Sequence, residues 1–319
     1  MSGAEIIVAD IGGTRARLAL ARLGARPVLG EIVTLDAVAH GSLESVFAAF
    51  AARVSRPLPR AAVLAVAAPM APGVLRFTNS RWTIDPAAAK ALLGLDRLLI
   101  LNDFAAVAHA VHHAEPGDLR HLCGPDVPLP AEGSISVVGP GTGLGIAQLV
   151  RRPGLYHAIA TEGAHIGFSP VDAIEDALLA RLRPRFGRVS IERLVSGPGL
   201  IELLPELLPE GAARPTDAVL WEAAIAGTDP AARAALDRFA ALLGGFCSDA
   251  ALMHWSGGIV LAGGLANRLA DYLPGSGFHE RLCAKGRYRA PMEALPVKLL
   301  TQAEPGLLGA ALAFTEMSR

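Results

Sequence analysis

Asn102 and Asp103 stand where chemistry is readily placed. Residues 98–101 form an unbroken apolar run that reads as a buried strand, and residues 105–113 continue with helical character. A carboxamide and a carboxylate at that junction lie at a strand end, the usual position of ligands in open α/β sheets. Asp103 suits catalysis there, and equally the N-cap of the next helix. Two glycine-rich segments, Asp10-Ile11-Gly12-Gly13-Thr14 and Gly139-Pro140-Gly141-Thr142-Gly143-Leu144-Gly145, each sit between strand-like runs. Hairpin tips of this kind let a ligand approach the backbone closely, because glycine lacks Cβ. They read as two phosphate-facing turns, one from each of two lobes, or as ordinary turns. Glu162 and His165, three residues apart in a Gly-containing loop, pair an acceptor with a donor/acceptor for hydroxyl groups. Glu192 adds another carboxylate ahead of Ser196-Gly197-Pro198-Gly199 and also reads as a surface acid on a helix. Gly263-Gly264 ends a strand, where a following helix N-terminus can receive a nucleotide or an anion.

The elements that must position these groups alternate. Strands are expected at 5–9, 17–23, 27–35, 61–68 and 98–101, with helices capped by Ser42 and Asp85; Pro86 fills the first turn of the second. A polar and aromatic hairpin at 75–82, containing Asn79, suits the border of a polar ligand. This order describes an α/β domain ending near residue 110. Residues 114–133, rich in Pro, Gly and charge, read as a long connection. Strands at 135–138 and 146–150 follow, then helices at 170–182 and 231–254. A strand at 259–262, a helix from about Asn267, a polar excursion at 273–291, a strand at 297–301 and a closing helix at 306–317 complete the chain.

Composition excludes several classes. The 319 residues are 52% hydrophobic and 18% charged, with a net charge of −1, so the chain is globular and has no basic field for nucleic acid or anionic membrane. Lysine occurs only at 90, 285 and 298, so phosphate handling must lean on backbone N–H groups, metal or Arg. Cys123, Cys247 and Cys283 form no CxxC pair and suggest reduced thiols in a cytoplasmic protein. No signal peptide, membrane span or metal-ligand spacing is apparent. GxxxxGK[ST] is absent. The second glycine segment is out of register with GxGxxG and is followed by a strand, which argues against a Rossmann site.

Together the motifs carry a resemblance. Asp10-Ile-Gly-Gly-Thr14, Leu101-Asn-Asp-Phe104, Gly139-x-Gly-Thr-Gly-Leu-Gly145, Glu162-Gly-x-His165, Glu192-Arg-x-x-Ser-Gly-Pro-Gly199, Ala262-Gly-Gly264 and Pro305-Gly-Leu-Leu-Gly309 run in the order seen in bacterial glucokinases of the non-ROK type. The resemblance spans the chain and implies a ribonuclease H-like, actin-like ATPase fold. This is the fold of hexokinase, actin and the heat-shock ATPases: two α/β lobes with a central interlobe cleft. The implied lobes are 1–110 with 300–319, and 111–299. It implies ATP, Mg²⁺ and glucose as ligands, glucose 6-phosphate as product, a cytoplasmic location and commonly a homodimer. Residue by residue, Asp103 resembles the general base that takes the proton of the sugar 6-hydroxyl. Asn102, Glu162, His165 and Glu192 resemble sugar ligands, and the hairpin carrying Asn79, which also resembles the family, implies that Asn79 borders the sugar. Ala9, Asp10, Ile11, Gly12, Gly13 and Thr14 resemble the first phosphate turn, with Asp10 near the metal. Gly139, Gly141, Thr142 and Gly143 resemble the second, and Gly263 with Gly264 the adenosine-side turn.

Two departures matter. Ala164 replaces the second glycine of the family's Glu-Gly-Gly-His, which would cost on the order of 1 kcal/mol if that position needs φ > 0. Gly167 stands where relatives often carry an acid. The rival readings are a related kinase acting on mannose, fructose or an amino sugar, a non-catalytic sugar sensor, and an actin- or chaperone-like ATPase. A strand at 5–9 leaves no room for a helix-turn-helix ahead of the fold, and the chain lacks a peptide-binding domain.

Overall fold

The computed structural model describes residues 3–24, 26–70, 72–77, 82–204 and 216–317. The chain opens with β1 (Glu5–Ile11), β2 (Arg15–Arg22), β3 (Val28–Leu29), β4 (Val33–Asp36), α1 (Leu43–Val54) and β5 (Ala61–Val66). It continues through β6 (Leu75–Arg76), β7 (Thr83–Ile84), α2 (Pro86–Leu92), β8 (Arg97–Asn102) and α3 (Asp103–His113). The first sheet has the order β3-β2-β1-β5-β8, with β4 also on β2. β1 and β2 are antiparallel, whereas β1, β5 and β8 run parallel. Parallel strands covered on both faces need near-continuous apolar sequence, and β1 and β5 supply it. Strand alternation then decides what each face meets. Ile7, Ala9 and Ile11 pack with Val46, Phe47 and Phe50 of α1. Ile6 and Val8 turn the other way, and so does Asp10.

The second half runs β9 (Leu119–Cys123), β10 (Gly133–Pro140), β11 (Leu144–Arg152), β12 (Leu155–Ala160), α4 (Ala173–Phe186), α5 (Gly199–Leu203), α6 (Asp217–Ala226) and α7 (Pro230–His254). It ends with β13 (Ser256–Leu261), α8 (Gly264–Arg268), α9 (Phe278–Cys283), α10 (Arg289–Glu293), β14 (Val297–Leu300) and α11 (Pro305–Glu316). Its sheet order is β12-β11-β10-β13-β14-β9. One face is covered by α7, where Leu236, Phe239 and Phe246 meet Val138, Ile259 and Leu299 in the largest apolar cluster. Truncating a buried ring such as Phe239 to Ala costs about 3–5 kcal/mol.

α3 joins the halves. Its Ala106 packs with Leu307, Ala310 and Phe314 of α11 beneath the first sheet. Its Val107, Ala108, Ala110 and Val111 pack on Ile135, Val137, Leu149 and Val260 of the second. An alanine-rich helix has the small side chains needed to lie close to neighbours on two sides.

Several sequence expectations change. Residues 27–35 split into β3 and β4. The connection at 114–133 contains β9, which pairs antiparallel with β14, and residues 155–160 form the edge strand β12. The excursion at 273–291 is largely helical, in α9, α10 and short 3₁₀ turns. The helix after β13 starts at Gly264 and not near Asn267. Asn79 lies outside the described residues. The expected caps hold: the Ser42 hydroxyl accepts from Ser45 N–H, and the Asp85 carboxylate from Ala87 and Ala88 N–H.

Candidate active site

A cleft of about 550 Å³ lies between the two sheets. It collects Asp10, Gly12, Gly13 and Thr14 from the β1–β2 turn, and Asn102 and Asp103 from the β8–α3 junction. Gly139, Gly141, Thr142 and Gly143 come from the β10–β11 hairpin, and Glu162, His165 and Glu192 from the loops beyond β12. Ala9 and Ile11 are buried within β1, and neither lines the cleft. Gly263 and Gly264 do not line it either; Gly263, at φ +95°, sits behind the second hairpin near Pro140 O.

The helix cap belongs to Asn102, not Asp103. Asn102 Oδ1 accepts the N–H groups of Phe104 (2.9 Å) and Ala105 (3.1 Å), and its Nδ2 donates to Ala68 O at 3.4 Å. Asp103, the first helical residue, is thereby freed to face the cleft, with the Phe104 N–H on its Oδ1 at 2.9 Å. Burial, and then the nearby charge of Asp10, push the Asp103 carboxyl up to about 7. Burial also lifts Asp10 to about 6, against the pull of Arg17, whose Nη1 lies 3.6 Å from Asp10 Oδ2. Arg17 is shared: Glu304 Oε2, at the start of α11, holds it at 3.2 Å. Two acids raised in this way form a cleft short of positive charge. Asp103 is poised to accept a proton near neutrality.

The second hairpin uses its glycines for close packing. Gly139 and Gly145 face each other across the β10–β11 ladder, and a Cβ on either would strike the Phe104 ring. That ring immediately follows Asp103, so the paired glycines seat the residue beside the acid. Gly143 makes room for Glu192: a Cβ there would lie 2.5 Å from Glu192 Oε2, which accepts the Leu144 N–H at 3.0 Å. Gly197 N–H donates to Gly141 O at 2.6 Å, so the 192–199 motif braces the hairpin at two points. None of these glycines has positive φ; at Gly139, Gly143 and Gly145 the constraint is space.

His165 sits between two acids, with Nε2 3.6 Å from Glu162 Oε2 and Nδ1 3.9 Å from Glu192 Oε1. Burial raises the Glu162 carboxyl, with His165 opposing and Glu192 adding to the rise. Ala164 is unstrained: non-glycine residues with positive φ among the described residues are Ser55, Trp255 and Glu304, and the Ala164 methyl is buried in the apolar cluster. Gly167 faces open space, and Arg188 reaches past it to donate to His165 O at 2.6 Å. Sequence reasoning missed Arg15, Arg17 and Thr161, which also line the cleft. The two arginines were visible as the first polar residues after the Asp10–Thr14 turn, alternating on one face of β2.

Comparison with known proteins agrees with this geometry. A family model described as Glucokinase matches residues 7–317. The glucokinase of Zymomonas mobilis is 47% identical over 315 residues, covering 97% of both chains. A glucokinase structure from an Antarctic psychrotroph, 32% identical, superposes with a TM-score of 0.80 over 98% of this chain and 99% of the other. A Balamuthia mandrillaris glucokinase solved with glucose shares the fold at 21% identity, with a TM-score of 0.83 over 98% and 93% of the two chains. With a family match and a relative's identity that run nearly end to end, the chain belongs to the glucokinase family.

Proposed function

We propose that the protein transfers the γ-phosphoryl group of ATP to O6 of D-glucose, giving glucose 6-phosphate and ADP. The observation that carries this is the single cleft on which Asp103 meets both glycine hairpins and the Glu162–His165–Glu192 group. Asp103 takes the 6-hydroxyl proton as O6 attacks the γ-phosphorus in line. The bond from that phosphorus to the β–γ bridging oxygen breaks, and ADP departs with the electron pair. Glu162, His165 and Glu192 receive sugar hydroxyls. Asn102 fixes the turn that aims Asp103, its own oxygen being spent on the cap; the only polar group it has left for the sugar is the second Nδ2 hydrogen. Each hydroxyl left unpaired costs about 1–3 kcal/mol, which gives selectivity among polyols.

The backbone of Gly12, Gly13 and Thr14 and of the 139–143 hairpin faces the phosphates, with Ala9 and Ile11 holding the turn from within β1, and Gly263–Gly264 lies on the adenosine side. Mg²⁺ fits the donor set. Asp10 and Asp103 are half-buried hard oxygen donors raised by desolvation and, at Asp103, by the charge of Asp10, and the described residues offer no cluster of three or more ligating side chains. That combination suits an ion carried mainly by nucleotide phosphates and water, with Asp10 beside it. When bound, the ion supplies charge neutralisation for the phosphates. The lobes divide as residues 1–110 with 300–319, and 111–299; packing of α11 under the first sheet supports this division. The protein works in the cytoplasm as a homodimer; no helix among the described residues is long and apolar enough to cross a membrane.

Coupled measurement of ADP release with ATP, Mg²⁺ and glucose tests the reading. Wild type turns over only when glucose is present. Turnover without glucose, or Asp103→Asn with wild-type kcat, would overturn it.

A further inference from the structure

Among the described residues, one arginine on the cleft is uncommitted. Arg15 is the first residue of β2 after the Asp10–Thr14 turn, and the turn is closed by Gly12 N–H donating to Arg15 O at 2.9 Å. Strand alternation puts Arg15 and Arg17 on the same face. Arg17 is held by Asp10 and Glu304. Arg15 makes no ion pair or side-chain hydrogen bond among the described residues, although its cross-strand neighbour on β4 is Asp36. The reason is local: Asp36 Oδ1 accepts the N–H groups of Val38 (2.8 Å) and Ala39 (3.3 Å), which turns its carboxylate into its own turn. Arg15 is exposed and lines both the main cleft and a shallower depression, of about 370 Å³, formed with Thr14, Thr34, Leu35, Asp36 and Val38.

Charge makes the assignment specific. No lysine lines the cleft; Lys285 and Lys298 are paired with Asp249 and Asp126 elsewhere. Four acids, Asp10, Asp103, Glu162 and Glu192, line it against Arg15, Arg17 and His165. A polyphosphate ligand brings several more negative charges, and an arginine fork is the side chain best matched to phosphate oxygens. We propose that Arg15 is a phosphate-binding residue of this cleft, which clamps the phosphate chain of the nucleotide against the Gly12–Thr14 turn. This rests on the glucokinase reading above and adds a residue that none of the recognised motifs contains.

Calorimetric titration of ADP and of adenosine, with Mg²⁺, separates the phosphate chain from the nucleoside. Arg15→Ala weakens ADP about tenfold and raises the KM for ATP by a similar factor, while adenosine binding and the KM for glucose stay within about twofold. Arg15→Lys falls between the two, since Lys keeps the charge without the fork. Added salt erodes ADP binding more in wild type than in Arg15→Ala. ADP affinity within twofold of wild type in Arg15→Ala would overturn the proposal, and so would an equal loss for adenosine. Wild type that binds ADP in an Arg15-dependent way but releases no ADP on adding glucose would remove the kinase reading and leave Arg15 standing.

Discussion

Two acids, Glu175 and Asp103, mark opposite policies within one chain. Glu175, near the start of α4, is fully buried beside α7 and α9. Its Oε1 accepts from Arg238 Nη1 (2.9 Å), both oxygens from Arg281 Nη2 (2.5 and 2.6 Å), and Oε2 from Val171 N–H (3.0 Å). Arg238 also holds Asp172, so two arginines answer two carboxylates. In the cleft, Asp103 has one backbone N–H and a like-charged neighbour in Asp10. Where an acid supports the fold, its charge is matched inside the protein. Where it serves the cleft, the charge is left open, and a proton or a ligand's cation completes it.

That contrast can be broken from either side. Asp103→Asn gives the largest effect on turnover. Removing the base lowers kcat by about 10²–10⁴, while the thermal midpoint holds or rises because a repelled charge is gone; calorimetry beside the coupled assay reads both. Glu175→Gln does the reverse. It leaves Arg281 without its carboxylate and Arg238 with Asp172 alone, and costs roughly 3–5 kcal/mol, read as a lower urea midpoint with unchanged m-value, while the folded fraction keeps the wild-type KM for glucose. Gly143→Ala is smaller: its methyl displaces Glu192 from Leu144 N–H, and the KM for glucose rises about tenfold.

The pH response sharpens the same point. The folded carboxyls of Asp10 and Asp103, at about 6 and 7, lie above the ordinary 3.8, so their contribution to stability is full below about 4 and is lost as pH rises through 7. Asp103→Asn therefore gains more in melting temperature at pH 8 than at pH 5. His109 and His112, packed around Tyr156 at the far end of α3, run the other way. Burial holds both down at about 4, so their contribution is present above about 6.5 and is lost as pH falls through 4. Activity falls on the acid side as Asp103 takes up a proton, with its midpoint at or below 7 once the magnesium nucleotide is bound. A kcat/KM profile flat from pH 5 to 8 would contradict the base assignment.

What was legible in the sequence was local. The strand–glycine–strand pattern placed both hairpins, and the apolar run into Asn102-Asp103 placed the cleft floor, because period and turn chemistry act within a few residues. Which of the two capped α3 was misjudged, since a cap depends on backbone angles that one residue of register decides. β9 escaped because a short strand at the end of a sheet owes its existence to a partner, β14, remote in sequence, and β12 because this edge strand of the hairpin with β11 buries neither face fully and so carries only a weak apolar alternation. The Arg17–Glu304 pair, the seating of Phe104 on Gly139 and Gly145, and the role of Gly143 under Glu192 arise only when distant segments meet, and no periodicity announces them.

Because α3 packs on both sheets, it lies where one half would turn against the other. A point near a fulcrum travels least. Asp103 at the head of this helix is thus a near-stationary mark of the cleft: closing would carry the Glu162–His165–Glu192 loops toward it, while the β1–β2 turn, in the same sheet as β8, stays beside it. The Phe104 ring in its glycine seat keeps that mark in register with the second sheet. A single methyl at Gly139 would act as a shim under the bearing, moving the base off line without touching either substrate.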